Sequence, residues 1–410
     1  MTFDGSATHD TPHRVIFAGI CALVLTVGLA RFAYTPMLPI MKAQAGLGYV
    51  AAGWLAAINY AGYMSGTVLA AMAGDLRRRY VLYRIGLAVA VASTAAMGLT
   101  SNPVAWGVLR FLSGLSSVAG LLLASGLVLN WLLQHGRRPD LGLHFTGMGL
   151  GIVVSGAAVV LTLPALPWSG QWIALGVLGL LFFVPAWLWM PAPASASPTA
   201  AAQAAPPPST PRNWMRLLNA AYVCAGFGFV IGATFIVAIL ERLPLLQGRG
   251  GWVWVIVGVA ALPSTFIWDR VARRFGATRA LLLAYVLQGA GMLLPAVSSS
   301  TPVNLLSAAL FGATFVGIVS LTLALVGRHV PSDPSRAMAR ITLGYGMAQI
   351  IGPIIAGYMA RATGSYQGAL LATAVLMGCG ALLLYVADRQ DRGSSGGVRA
   401  LTLDAPPSRR

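Results

Sequence analysis

Long apolar runs recur along the whole chain, and their length limits the fold more than any other feature. Each run holds about 20 residues, enough for a helix rising 1.5 Å per residue to cross the roughly 30 Å hydrocarbon core of a bilayer. Only 9% of the residues are charged, whereas a soluble domain carries about 25%. The sequence therefore predicts an all-α polytopic membrane protein with twelve transmembrane helices, over residues 15–41, 49–73, 80–100, 103–133, 141–163, 171–190, 215–240, 252–268, 279–297, 302–327, 341–361 and 366–387.

The basic residues are distributed unevenly between the two sides that these helices would separate. Of 27 lysines and arginines, 21 fall in or near the termini and alternate loops, and four fall on the opposite side. Basic residues concentrate on the cytoplasmic side of membrane proteins, so both termini are predicted to be cytoplasmic in a bacterial inner membrane. The net charge of +17 is thus explained by topology, with membrane lipid as the expected partner and no nucleic acid.

A segment rich in proline, alanine and serine divides the predicted helices into two sets of six. It is too polar and too rich in proline to cross lipid or to build a core, so it is predicted to be a linker. The two sets repeat one another, and two related six-helix halves are typical of secondary transporters with a solute site between them. The predicted divisions are a cytoplasmic N-terminus, a six-helix bundle, a cytoplasmic linker, a second bundle and a cytoplasmic tail, over residues 1–14, 15–190, 191–213, 214–387 and 388–410.

The loops after the second and eighth predicted helices each carry an aspartate followed by arginines. The second copy consists of Asp269, Arg270, Arg273 and Arg274, and the first begins at Asp75. These residues resemble the loop motif G-x-x-x-D-R-x-G-R-R of the major facilitator superfamily. The resemblance implies that the loop latches the inward side closed, since a carboxylate at a helix end can accept charge-assisted hydrogen bonds in only one of two conformations. The alternative is that the loops serve only as a topology signal.

Further patterns extend the resemblance to nearly the whole chain apart from its ends. Arg110 and Gly114 match an arginine and a glycine four residues apart in the family's fourth helix, and the string from Gly28 to Pro39 is similar to the YbfB/YjiJ-type bacterial branch. The resemblance implies two bundles that rock about a central cavity, with close helix contacts between small residues; static packing is the alternative. The residues predicted to make these contacts are Gly114, Gly147, Gly151, Gly156, Gly352, Pro353 and Gly357.

Two arginines, Arg31 and Arg110, lie well inside predicted helices, whereas all ten acidic residues fall in loops, tails or helix ends. Each buried arginine costs on the order of 3 kcal/mol on insertion, and no carboxylate lies at a similar depth to offset it. One interpretation is that each guanidinium bonds backbone carbonyls as a packing device. The sharper hypothesis is that a small organic anion bridges them. The predicted substrate contacts are Arg31, Arg110, Tyr34, Thr35, Tyr345 and Gln349.

Other functions have weaker support in the sequence. A broad-specificity exporter of the same superfamily remains an alternative, and a polytopic sensor or an acyltransferase-like enzyme has only the pair His135 and Asp140 in its favour. No cofactor or metal is expected, because the three cysteines are far apart and no phosphate-binding loop occurs. Proton coupling is left open, with Glu241 and His144 as the titratable candidates, and a monomer is expected.

Overall fold

The computed structural model describes residues 11–138, 141–193, 212–330 and 334–403. Within these ranges the chain forms helices joined by short loops, and no strand is present. The helices lie at the apolar runs of the sequence. Most of the linker predicted for residues 191–213 lies outside the described residues. The twelve helical segments, numbered in chain order from α1 to α12, are Pro12–Gln44, Tyr49–Met72, Leu76–Leu99, Pro103–Gln134, Gly142–Thr162, Trp168–Leu188, Arg212–Leu240, the bent pair Gly250–Ala261 and Ser264–Phe275, Ala277–Val297, Thr301–His329, Pro334–Thr363 and Gln367–Leu403.

The predicted all-α membrane fold is confirmed. Of the described helices, ten are long and apolar enough to cross a bilayer, and α8 makes an eleventh if its two segments, bent by 41° at Leu262 and Pro263, form one span. The segment α2 is long enough at 24 residues but is not among the ten, and Asn59, Tyr60 and Tyr63 interrupt its apolar run. The polar and aromatic side chains that lower its apolarity are also those that reach the candidate site.

The two sets of six helices meet along two related interfaces. Segment α2 packs against α11, and α5 packs against α8. In the repeat predicted from the sequence, α2 corresponds to α8 and α5 corresponds to α11. The contact of α2 with α11 is therefore equivalent to the contact of α8 with α5. Two such equivalent contacts are expected when the two halves are related by a pseudo-twofold axis. A third contact between the halves joins the C-terminal part of α1 to α7.

Glycines allow the close approach at these interfaces. A Cβ atom on Gly156 of α5 would lie 2.8 Å from the carbonyl oxygen of Gly251 in α8, and one on Gly357 of α11 would lie 2.9 Å from the carbonyl oxygen of Tyr49. The carbonyl oxygen of Pro353 faces Gly53 of α2. Helix backbones can approach this closely only where side chains are absent.

The remaining predicted packing glycines lie inside one half or the other. Gly147 and Gly151 face α1, Gly114 faces the backbone of Asn59, and Gly352 faces Val230 of α7. These contacts assemble each bundle rather than joining the two bundles.

The hydrogen bonding of α1 and α4 changes locally from α to π geometry. The π segments are Val24–Phe32 in α1 and Ala119–Ala124 in α4. A π segment widens the helix by one residue per turn and commonly marks a functional position. In α1 the π segment includes Arg31, and the carbonyl oxygens of Ala30 and Arg31 within it accept from Arg110.

Candidate functional site

The guanidinium of Arg110 donates hydrogen bonds to backbone carbonyl groups of neighbouring helices. Its side chain is 2% exposed, and Nη1 donates to the carbonyl oxygens of Ala30 and Arg31 at 3.2 and 3.3 Å. Nε lies 3.5 Å from the carbonyl oxygen of Leu55, and the ring of Tyr34 lies 4.5 Å from the guanidinium carbon. Arg110 therefore ties α4 to α1 and α2, as the packing alternative predicts.

Arg31 is equally buried but differently surrounded. Its guanidinium carbon lies 4.4 Å from the ring centroids of both Tyr60 and Tyr63. The Tyr60 hydroxyl lies within hydrogen-bonding reach of Arg31, yet the Arg31 Nε has no hydrogen-bond partner. Neither Arg31 nor Arg110 has a carboxylate partner among the described residues. Among the described residues, Arg31 is thus a buried cation that faces the rings of Phe32, Tyr60 and Tyr63 and one hydroxyl, without a carboxylate.

Two predicted contacts from the second half lie near Arg31. Tyr345 is close enough to interact electrostatically with Arg31 and with Tyr60, and Gln349 lies within hydrogen-bonding reach of the Tyr345 hydroxyl. Both side chains are buried, at 7% and 3% exposure. The Gln349 Oε1 has no hydrogen-bond partner. The rings of Tyr60 and Phe229 connect Arg31 in the first half to Tyr345 in the second. Arg31 keeps an unpartnered donor, and Gln349 beside Tyr345 keeps an unpartnered acceptor.

The other two predicted contacts are occupied by backbone groups. Tyr34 donates its hydroxyl to the carbonyl oxygen of Ala52 at 3.0 Å. Thr35 donates to the carbonyl oxygen of Ala233 in α7. Thr35 therefore joins the halves, and Tyr34 holds α1 against α2, so neither hydroxyl proton is free for a solute.

The sequence reasoning missed five aromatic residues at the candidate site. The rings of Phe32, Tyr60 and Tyr63 lie around Arg31, and those of Tyr222 and Phe229 pack against Tyr345. Tyr222 and Tyr345 stack with ring centroids 4.4 Å apart, and Phe229 lies 6.1 Å from Tyr345. Tyr60 and Tyr63, three residues apart on one face of α2, could have been found from the low apolarity of that run. Nothing in the sequence shows that Tyr222 and Phe229 turn toward Tyr345, because that depends on how α7 is rotated in the bundle.

A cluster of cations and tyrosines joins the two halves at one end of the molecule, which we call the Tyr49 end. Arg242 donates to the Tyr49 hydroxyl at 2.9 Å and to the Gly364 carbonyl at 2.6 Å. Lys42 Nζ lies 3.1 Å from the Tyr49 ring centroid, and Tyr366 packs against the same ring at 5.2 Å. Because Lys42 and Tyr49 belong to the first half and Arg242 and Tyr366 to the second, this cluster fastens the halves together.

The predicted latch residues at the opposite end, the Asp269 end, bond within their own helices. Asp75 accepts from the backbone N–H of Arg78 at 2.6 Å and pairs with its Nε at 3.2 Å. Asp269 pairs with Arg273 one turn along α8. Arg270 and Arg274 are exposed on the same short segment. In the described residues, therefore, these two carboxylates do not connect the halves.

The titratable candidates for coupling lie apart from Arg31. His144 is fully buried, its Nε2 lies 2.8 Å from Ser125 Oγ, and its Nδ1 has no partner. Glu241 follows α7 at the Tyr49 end, where Oε1 accepts from the Gly248 N–H at 3.0 Å. Burial raises the pKa of Glu241 to about 7. Neither group is bonded to Arg31, Tyr345 or Gln349. Proton coupling therefore stays an open prediction.

The enzyme alternative gains nothing from the structure. His135 stacks on Trp131 at 4.0 Å and bonds its carbonyl oxygen through Nδ1 at 2.9 Å. Asp140, its proposed partner, lies outside the described residues. Among the described residues, no group of three or more histidine, cysteine, aspartate or glutamate side chains could hold a metal ion.

Comparison with known proteins identifies relatives by sequence pattern and by fold. The chain matches a family model described as the uncharacterised MFS-type transporter YbfB over residues 23–384. Among solved structures, the nucleoside transporter NupG is similar with a TM-score of 0.70 at 15% identity, covering 91% of this chain and 98% of that chain. A mutant form of NupG gives 0.75 at 13% identity, covering 91% and 99%.

A third similar structure is a bacterial homologue of the human lysosomal transporter Spinster, in an inward-facing and unoccupied conformation. Its TM-score is 0.63 at 15% identity, with 94% of this chain and 98% of that chain covered. At identities this low, the likeness to solved structures concerns the fold alone. No curated protein sequence matches the chain.

Proposed function

Because the chain belongs to the YbfB-type transporter family of the major facilitator superfamily, we propose that it moves a small organic anion by alternating access. The protein is a multi-pass membrane transporter rather than an enzyme. The proposed part is the charge of its solute and the residues that bind it. We propose that it lies in the bacterial inner membrane with both termini cytoplasmic, and that its two bundles comprise residues 15–190 and 214–387.

The unbalanced cation at Arg31 carries the proposal. A charged arginine inside a membrane protein is costly, and Arg110 shows how such a cost can be offset by carbonyl groups. Arg31 lacks that arrangement: its Nε is unpartnered, and it has no carboxylate partner among the described residues. A carboxylate or similar anion would supply the missing charge and hydrogen bonds, since guanidinium groups bind carboxylates through paired N–H donors.

The position of Arg31 also fits the proposed mechanism. Arg31 belongs to the first half, whereas Tyr345 and Gln349 belong to the second. A solute held between them contacts both halves, so its binding energy can differ between the conformations that the halves adopt. Broad export of cationic compounds is disfavoured because the same position would repel a cation.

The contacts at the two ends support one direction of opening. The Tyr49 end is fastened across the halves by Arg242 and Lys42, while Asp75 and Asp269 at the other end bond their own helices. With cytoplasmic termini, the Tyr49 end faces outward. The described arrangement then corresponds to a transporter closed outside and unlatched inside, and Asp75 and Asp269 would form the latch in the alternative conformation.

Ligand-induced thermal stabilisation of the purified protein tests the anion site. A ligand that binds only the folded state raises the unfolding temperature by mass action. We expect a panel of small organic acids to contain at least one that stabilises the wild type. Arg31→Gln should remove that shift, and Arg31→Lys should weaken it, because lysine keeps the charge but loses the paired donors.

Arg249→Gln serves as the matched control, since Arg249 is an exposed arginine in a loop. It should respond to the acid as the wild type does. An acid that stabilises the wild type and the Arg31→Gln protein equally would refute the anion site at Arg31.

A further inference from the structure

We propose that the solute is a planar aromatic monocarboxylate with a hydrogen-bond donor on the side of its ring away from the carboxylate. This inference rests on the proposed function, because it states which organic anions the site at Arg31 takes. It depends on the number of free cations, the shape of the surroundings and one unpartnered acceptor.

The number of free cations limits the charge of the solute. Arg110 is the other arginine at this depth, and carbonyl oxygens already accept from its guanidinium. Lys42 and Arg242 are held at the Tyr49 end by Tyr49 and Gly364. A second carboxylate on the solute would therefore be buried without a counter-charge, which is strongly unfavourable. One carboxylate matches one available guanidinium.

The rings around Arg31 favour a flat solute. Tyr60 and Tyr63 contact the guanidinium through their rings, and the Tyr60 hydroxyl lies within hydrogen-bonding reach of it. The Nε at the edge of the guanidinium has no partner, so it is the donor that a solute carboxylate would use. A carboxylate paired with two N–H donors is coplanar with the guanidinium, and an aromatic acid continues in the plane of its carboxylate.

The second half supplies further aromatic surface. Tyr345 stacks with Tyr222 at an interplanar angle of 19° and lies 26° from the plane of Phe229. Phe229 in turn meets Tyr60 edge to face, with ring centroids 6.2 Å apart. Aromatic rings bind one another through such offset and edge-to-face contacts. These rings already join the two halves, and an aromatic solute would pack against them in the same way. A saturated ring is thicker and has no π face.

The remaining polar feature specifies a donor on the solute. Gln349 Oε1 is buried without a partner, and Tyr345 lies within hydrogen-bonding reach of the same side chain. A buried acceptor is satisfied only by a donor. Since Gln349 comes from the half opposite Arg31, the donor belongs on the far side of the ring from the carboxylate. A phenolic hydroxyl or a ring N–H fits this position.

Four matched pairs of probes test the proposal by calorimetric titration of the purified full chain. Benzoate should bind roughly threefold to tenfold more tightly than cyclohexanecarboxylate, because only benzoate is flat and aromatic. Benzoate should also bind at least about tenfold more tightly than isophthalate, which adds a second carboxylate. Para-hydroxybenzoate should bind roughly tenfold more tightly than para-methoxybenzoate, which lacks the donor. Para-hydroxybenzamide, which lacks the charge, should bind at least about tenfold more weakly than para-hydroxybenzoate.

A variant of Gln349 separates recognition of the hydroxyl from folding. Gln349→Met removes the acceptor at similar side-chain length, so the ratio between the affinities for para-hydroxybenzoate and para-methoxybenzoate should fall to about one. Gln134→Met, at an exposed glutamine near the end of α4, should leave the ratio unchanged. A variant that folds and keeps the wild-type ratio would overturn the role of Gln349.

The outcomes distinguish this inference from the proposed function. If cyclohexanecarboxylate or isophthalate binds as tightly as benzoate through Arg31, the aromatic monocarboxylate class is wrong and the anion site stands. If no organic acid binds, or if the acids bind equally to Arg31→Gln, both fail. If para-hydroxybenzamide binds as tightly as para-hydroxybenzoate, the charge is irrelevant, and both fail again.

Discussion

Two buried arginines with similar exposure have opposite surroundings. Arg110 donates to backbone carbonyls of α1 and α2, and Arg31 rests on tyrosine rings with one donor unpartnered. The same residue type thus supports packing at one position and leaves a binding group at the other. The carbonyl groups of α1 that accept from Arg110, those of Ala30 and Arg31, lie in its π segment.

The stabilities of the two arginine variants should differ. Arg110→Gln leaves several buried carbonyl groups short of donors, at a cost of about 1–3 kcal/mol each. Arg31→Gln removes a buried charge with no counter-ion and loses mainly contacts with two rings, so its effect should be within about 2 kcal/mol. Thermal unfolding in detergent without ligand should give a clearly lower midpoint for Arg110→Gln. Equal midpoints, or a lower one for Arg31→Gln, would contradict the assignment.

Glu241 should make stability depend on pH. Burial raises its pKa in the folded protein to about 7 from an ordinary value of 4.5, so the folded state binds the proton more tightly than the unfolded state. Stability from this group is present below about pH 4.5 and is lost as the pH rises through about 7. Between pH 5 and pH 8 the unfolding midpoint of the wild type should therefore fall more than that of Glu241→Gln. Parallel pH profiles would show that the carboxyl is not buried in this way.

At the scale of helices, small residues decide where the halves touch. Gly156 and Gly251 oppose each other between α5 and α8, and Gly53 opposes Pro353 between α2 and α11. The glycine pattern predicted close packing but could not say which glycines join the halves. That distinction depends on helix rotation, so Gly147 and Gly151 face α1, while Gly156, one or two turns later, faces the second half.

A larger side chain at Gly156 should hinder transport without preventing folding of each bundle. In Gly156→Val the added Cβ meets the Gly251 carbonyl oxygen at 2.8 Å, so the halves cannot approach as they do here. We expect slower transport and altered protease accessibility of the loops. Gly378→Val is the control, because a Cβ there meets nothing within 4 Å. Equal transport by both variants would mean that the interface between α5 and α8 tolerates separation.

The number and order of the helices in the whole molecule could be predicted from the apolar runs that recur along the sequence. The twelve apolar runs predicted the helices, because lipid requires every spanning segment to satisfy its own backbone. Of the predicted substrate contacts, Arg31 and Gln349 each keep an unpartnered polar atom, whereas Tyr34 and Thr35 bond backbone groups. Their binding of a solute stays a prediction. The bend in α8 was missed although Pro263 signals it, because proline removes a helix hydrogen bond. The π segments were missed because the apolarity of a run does not show its hydrogen-bond geometry.

The latch at the Asp269 end should affect the rate rather than the affinity. Asp269→Asn weakens any contact that closes this end, but the residue lies on the exposed end segment of α8, far along the helix from the central residues. Transport should slow while ligand affinity stays within a few-fold, and Asp75→Asn should have a smaller effect. Loss of ligand-induced thermal stabilisation in either variant would refute the latch.

Counterflow in liposomes tests most directly the claim that this transporter moves an organic anion held by Arg31. Purified protein is reconstituted with a high internal concentration of an organic acid chosen by thermal stabilisation, and uptake of the labelled acid is followed. Wild-type protein and the Arg249→Gln control should show saturable, transient accumulation. Arg31→Gln at equal reconstitution should show none, and Arg31→Lys should require a higher concentration. Wild-type exchange by the Arg31→Gln protein would contradict the account.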